Sequence, residues 1–113
     1  MTKATRETVI EKIRQIFPER KVADVLALLD RYGVEDYHRE RERVQLAILK
    51  LCDEKGCDDP ANYVATACAD YRDVLAWAES PHLMRNTRCE DAQEREKLIA
   101  QDEAQYRAWL DKR

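Results

Sequence analysis

Glycine and proline are nearly missing, with two of the first and three of the second in 113 residues. No stretch shows strand-like alternation, and no Asn-Gly or Asp-Gly pair is present to turn a hairpin, so a β architecture is not expected. No apolar run approaches the roughly 18 residues that a membrane span needs. Met1-Thr2-Lys3-Ala4 lacks the hydrophobic core of a signal peptide. The expected location is the cytoplasm, where Cys52, Cys57, Cys68 and Cys89 are expected to be reduced. There is no Gly-rich phosphate loop, no serine or cysteine nucleophile motif and no zincin motif. An excess of positive charge is lacking too. The net charge of −3 argues against a dedicated nucleic-acid binder.

What is present is helix-forming. Charged residues make up 38% and apolar ones 44% of the chain. The apolar residues recur periodically, which separates the chain from a disordered one. Its length suits one domain with a single core. The most apolar run is Val44-Gln45-Leu46-Ala47-Ile48-Leu49-Lys50-Leu51-Cys52. It closes a helix-favouring segment that begins near Asp36. On a helical wheel Tyr37, Val44, Ala47, Ile48 and Leu51 share a face, whereas Leu46 and Leu49 fall outside it. A helix apolar over most of its circumference is packed on several sides. This segment is therefore expected to be the spine of the fold, with the charged run His38 to Arg43 in water.

The remaining elements follow in order. A first helix is expected over residues 5–16, with Thr5 as N-cap and Val9, Ile10, Ile13, Ile16 and Phe17 on its buried face. Pro18 breaks it. A second is expected over 19–32, buried through Val22, Val25, Leu26, Leu29 and Tyr32 and stopped by Gly33. The spine spans 36–54 and is stopped by Gly56, with Glu35 and Arg39 as a four-spaced ion pair. Arg41 lies about 60° from Val44 on the apolar side. If covered, it needs an acidic partner, because an unpaired buried charge costs several kcal/mol. Asp59 and Pro60 start a fourth helix that should run to about Glu79. Residues 81–87 look like a linker. Thr87 and Glu90 form a capping-box pattern, so a fifth helix is expected from Arg88, with Leu98, Ile99, Tyr106, Trp109 and Leu110 on one face.

The four cysteines could make a thiolate zinc site, but their spacing is not a Cys-x-x-Cys knuckle. Cys68 fits a core stripe and Cys52 borders one, where cysteine acts as a small hydrophobe. His38 and His82 lack metal-ligand spacing and read as surface residues. No metal and no cofactor is therefore expected. The paired carboxylates each have a local role, and catalysis would need them to converge in a pocket. That argues against an enzyme. Arg39, Arg41 and Arg43 alternate with Glu40 and Glu42, which cancels the field that a phosphate backbone requires.

Tyr37, Arg41, Asp70 and Tyr71 are the candidate set for an inter-helix pocket. Trp77 with Leu98, Tyr106, Trp109 and Leu110 is the candidate interface, because tryptophan and tyrosine dominate interface energetics. The tail face would cover Trp77, within one chain or across two.

Three segments carry a resemblance: Asp24-Val25-Leu26-Ala27-Leu28-Leu29-Asp30-Arg31-Tyr32-Gly33, then Arg39-Glu40-Arg41-Glu42-Arg43-Val44-Gln45-Leu46-Ala47-Ile48-Leu49-Lys50-Leu51, then Asp70-Tyr71-Arg72-Asp73-Val74-Leu75-Ala76. Together they resemble a group of short bacterial proteins of unknown function, over residues 7–80. The resemblance implies no activity, cofactor or binding residue. It implies that the tail after Pro81 is an addition to a compact unit. The expectation is thus an all-α fold: a four-helix bundle or orthogonal array in residues 1–81, with a linker and a C-terminal amphipathic helix in 82–113 that docks or swaps. The expected role is a non-enzymatic protein–protein interaction or regulatory protein, self-associating as a homodimer. The alternatives are a small-ligand binder or enzyme using the inter-helix pocket, and a nucleic-acid-associated regulator.

Overall fold

The structure, a computed structural model, describes residues 3–57, 59–86 and 90–112. Those residues are all-α, with seven helices and no strand among them.

Helix α1 (Arg6–Ile16) starts where Thr5 Oγ1 accepts the Thr8 N–H at 3.2 Å. Val9 and Ile13 are its buried stripe. Phe17 is extended ahead of Pro18, as the residue before a proline prefers. A 3-10 turn (Glu19–Lys21) then leads into α2 (Val22–Leu29), which is shorter than expected. Beyond it Arg31 and Tyr32 close tighter turns onto the Leu28 and Leu29 carbonyls.

The spine is α3 (Arg41–Lys55), and every residue from Val44 to Cys52 is buried. It begins five residues later than residue 36, because residues 33–40 have a better use for their polar groups. His38 Nδ1 accepts the Gly33 N–H at 2.9 Å and the Glu35 N–H at 3.3 Å. Tyr32 donates its hydroxyl to the Arg39 carbonyl at 2.6 Å. Glu40 takes a left-handed φ of 48° to enter the helix. Tyr37 therefore leaves the spine face and is 65% exposed. Glu35 and Arg39 lose the helical spacing their ion pair needed. His38 is half-buried rather than a surface residue, with its ring stacked on Tyr32 at 4.5 Å.

The rod also carries buried polar groups. Gln45 Nε2 donates to the Leu29 and Tyr32 carbonyls at 2.9 and 3.2 Å, so it closes the end of α2. Lys50 is paired with Glu54 one turn on. Gly56 ends α3 in the left-handed conformation.

The helix expected over 60–79 is two helices, α4 (Ala61–Ala69) and α5 (Tyr71–Glu79). The break is at Asp70, whose extended backbone lets its carboxylate cap α5 by accepting the Arg72 N–H at 3.0 Å. An aspartate offers that alternative to the helical ladder. At the start of α4, Asp59 accepts the Ala61 N–H at 2.9 Å. The segment read as a linker holds a further short helix, α6 (Pro81–Arg85). Helix α7 (Ala92–Asp111) is capped by Asp91, which accepts the Gln93 N–H at 2.9 Å. Thr87 and Arg88, the expected cap and start, lie outside the described residues.

Helix α3 packs on α1, α4 and α5, while α7 lies against α5 and α6. No helix of the described residues is long and apolar enough to cross a membrane.

Candidate functional site

The four pocket candidates do not all meet. Tyr37, Asp70 and Tyr71 line one cleft of about 260 Å³, together with His38, Cys68 and Arg72. Asp70 is already engaged by Arg72, at 3.0 and 3.1 Å. Arg41 is elsewhere. It reaches Asp30 at 3.0 Å, while Arg6 grips the same carboxylate with two bonds of 2.8 Å. Arg41 thus has the acidic partner that its place on the wheel demanded. The Arg6 guanidinium, aided by Arg41 and opposed by burial, holds the Asp30 carboxyl down at about 2. Arg41 also crosses Gly33, where an added Cβ would lie 2.7 Å from its Cγ and Cδ.

The tail candidates face their own chain. Trp109 and Leu110 pack on the core, Tyr106 is half-buried, and Leu98 is partly covered. Polar contacts hold α7 there. Lys12, 2% exposed, donates from Nζ to the Trp109 and Lys112 carbonyls at 2.5 and 2.8 Å, closing the C-terminal end of the helix. Its ammonium also lies 4.7 Å from the Trp109 ring centre. Burial lowers the Lys12 pKa. Trp109 Nε1–H donates to Asp53 on α3 at 2.8 Å.

Asp102, 2% exposed, makes another such contact. It accepts the His82 and Leu83 N–H groups at 3.0 Å each, and meets His82 Nδ1 at 2.7 Å. A residue of α7 therefore caps α6. Burial alone would raise the Asp102 pKa, but the donors from Leu83 and His82 outweigh it and lower the pKa. The Tyr106 hydroxyl is buried with no hydrogen-bond partner among the described residues, and burial pushes its pKa up.

Trp77 is not covered by this tail. It is 41% exposed, and Met84 of α6 is 42% exposed. The two line a groove of about 490 Å³ with Leu51, Tyr63 and Pro81. Glu54, Lys55 and Arg85 stand around it. Trp77 was legible as an interface candidate from its place off the α5 stripe. Met84 and Pro81 were not, because a five-residue helix leaves little periodic signal.

Cys52 is buried, and Cys57 and Cys68 are half-buried, all three as free thiols. Cys89 lies outside the described residues. Among the described residues no group of three or more His, Cys, Asp or Glu is placed to hold a metal ion.

Fold and surface together define an all-helical protein with a docked C-terminal helix and an open apolar groove beside Trp77. No protein-family model matches the chain, and neither a curated protein nor a solved structure matches it.

Proposed function

We propose that the chain is a non-enzymatic interaction protein that pairs with a second copy of itself through the Trp77 groove. The observation that carries this is the placement of Trp77 and Met84, two large exposed apolar side chains, in one groove. Tryptophan is enriched among the few residues that carry most of an interface's binding energy. The rim supports a second copy rather than an unrelated partner. Glu54 stands on it with Lys55 and Arg85. In a two-fold interface each rim meets the same rim reversed, so both signs on one rim can answer each other. Helix α7 then supports the pairing from inside each chain: Trp109 and Leu110 seat it on the core, and its Asp102 caps α6, which carries Met84. On this reading the chain belongs with the short bacterial helical proteins it resembles and works in the cytoplasm.

The test is sedimentation velocity over a wide concentration range. The expected result is a mass that rises with concentration, and a Trp77→Glu variant that stays at one chain with an unchanged helical circular-dichroism spectrum. A wild type that remains one chain throughout would sink the proposal.

A second reading rests on the convergence of Tyr37, Asp70 and Tyr71 beside Arg72. Such a cleft would take a small aromatic or anionic ligand. Binding that survives Trp77→Glu but is lost in Tyr71→Ala would favour it.

A further inference from the structure

We propose that Cys52 and Cys57 close a reversible disulfide across the C-terminal cap of α3, making this cap a site of thiol oxidation by a peroxide. The cap geometry carries the inference. Gly56 sits at φ 66°, the Cys57 N–H donates to the Cys52 carbonyl at 3.0 Å, and the Gly56 N–H donates to the Asp53 carbonyl at 3.4 Å. That pair of bonds folds the chain back so that the residue after the glycine lies beside the residue five positions earlier. Apolar side chains at these two positions frequently meet at such a cap. Here both side chains are thiols. Cys52 belongs to the core cluster and Cys57 packs against that cluster from the solvent side. A disulfide requires α-carbons within about 4.4–6.8 Å, and a backbone hydrogen bond joining the same two residues brings them into that range.

The two thiols divide the chemistry by exposure. Cys52 has no exposed surface, and burial, with a smaller contribution from Cys57, pushes its thiol up to about 12. It does not react first. Cys57 is half-exposed and is the point of entry. Its thiolate attacks one peroxide oxygen, the O–O bond breaks, and sulfenic acid and water (or an alcohol) result. Cys52 sulfur then displaces hydroxide from the sulfenic sulfur, losing its proton, to give the S–S bond and a second water. Two thiols are oxidised by two electrons and one peroxide is reduced. Disulfides in a reducing compartment are typically transient and redox-sensing, which fits two cysteines otherwise held as free thiols. Cys68 is not a competitor, because it lies in the separate cleft with Tyr37 and Tyr71.

The experiment treats the full chain with hydrogen peroxide, blocks remaining thiols by alkylation, and maps the tryptic peptides. Trypsin cuts after Lys50, Lys55 and Arg72, so the two cysteines fall in peptides 51–55 and 56–72. Fragmentation separates Cys57 from Cys68 within the second. The expected product has lost two of its four thiols and joins Cys52 to Cys57 within one chain. It returns to the starting mass with dithiothreitol. Cys57→Ala, which keeps the apolar contact, is expected to leave Cys52 reduced under the same treatment. A link from Cys52 to Cys68 or Cys89, a link between chains, irreversible oxidation of Cys57 without a link, or four unchanged thiols would each overturn the proposal.

Discussion

Asp30 binds two arginines from different elements, Arg6 of α1 and Arg41 of α3. Its carboxyl sits at about 2 in the fold against an ordinary 3.8. A depressed carboxylate contributes stability that is complete above the unfolded pKa and is lost as pH falls through the folded one. Acid should therefore remove this contribution between about pH 4 and pH 2. All three side chains are partly open to water, so screening leaves on the order of 1 kcal/mol. Asp30→Asn is expected to flatten that part of a urea-stability profile against pH, and identical profiles would refute the cluster's role. Gly33→Ala meets Arg41 at 2.7 Å and a φ of 113°, and should cost about 1–3 kcal/mol in urea melts. The need of Arg41 for an acid could be read from the wheel. Which acid it finds could not, because Asp30 stands at the end of another helix, and only the packing of α2 on the turn before α3 brings them together.

Short elements here depend on distant ones. Helix α6 has five residues, too few to hold itself. Its first N–H groups are satisfied by Asp102, twenty residues downstream of His82. No local pattern announces such a cap, and residues 81–87 accordingly read as a linker. The break at Asp70 misled for the opposite reason. Good helix formers on both sides suggest continuity, and the local cap bond of an aspartate overrides them. Replacing Asp102 with alanine should leave two part-buried N–H groups and the His82 ring without their acceptor, at a cost of about 1–3 kcal/mol. Hydrogen exchange should then quicken at Leu83 and along the second half of α7. Unchanged exchange at Leu83 would show that Asp102 does not cap α6. At the other end, Lys12→Met removes the donor to the Trp109 and Lys112 carbonyls. The expected loss is about 1–2 kcal/mol, since those carbonyls can partly turn to water, and it should appear with a change in Trp109 emission.

At the scale of the molecule, the question is whether residues 1–81 and the tail melt together. The rod from Val44 to Cys52 was legible because it is apolar nearly all round, and such a helix can only be enclosed. The tail's stripe was legible as something to be covered, but a stripe does not say by what. Four elements answer in the fold: α1 through Lys12, α3 through Asp53, α6 through Asp102, and α5 through the Ala78 carbonyl, which accepts from Gln105 at 3.4 Å. A helix tied to four others cannot leave without breaking those bonds and uncovering the buried Lys12 and Asp102. The chain should therefore unfold as one unit, apart from the exposed first turns of α7. The two tryptophans make this measurable, since Trp77 is on α5 and Trp109 on α7. In Trp77→Phe, emission reports the tail alone, while far-ultraviolet circular dichroism reports every helix. The two urea transitions are expected to share one midpoint and slope. If Trp109 emission instead changes at clearly lower urea than the helical signal, the tail is a separable appendage and the first 81 residues stand as a unit of their own.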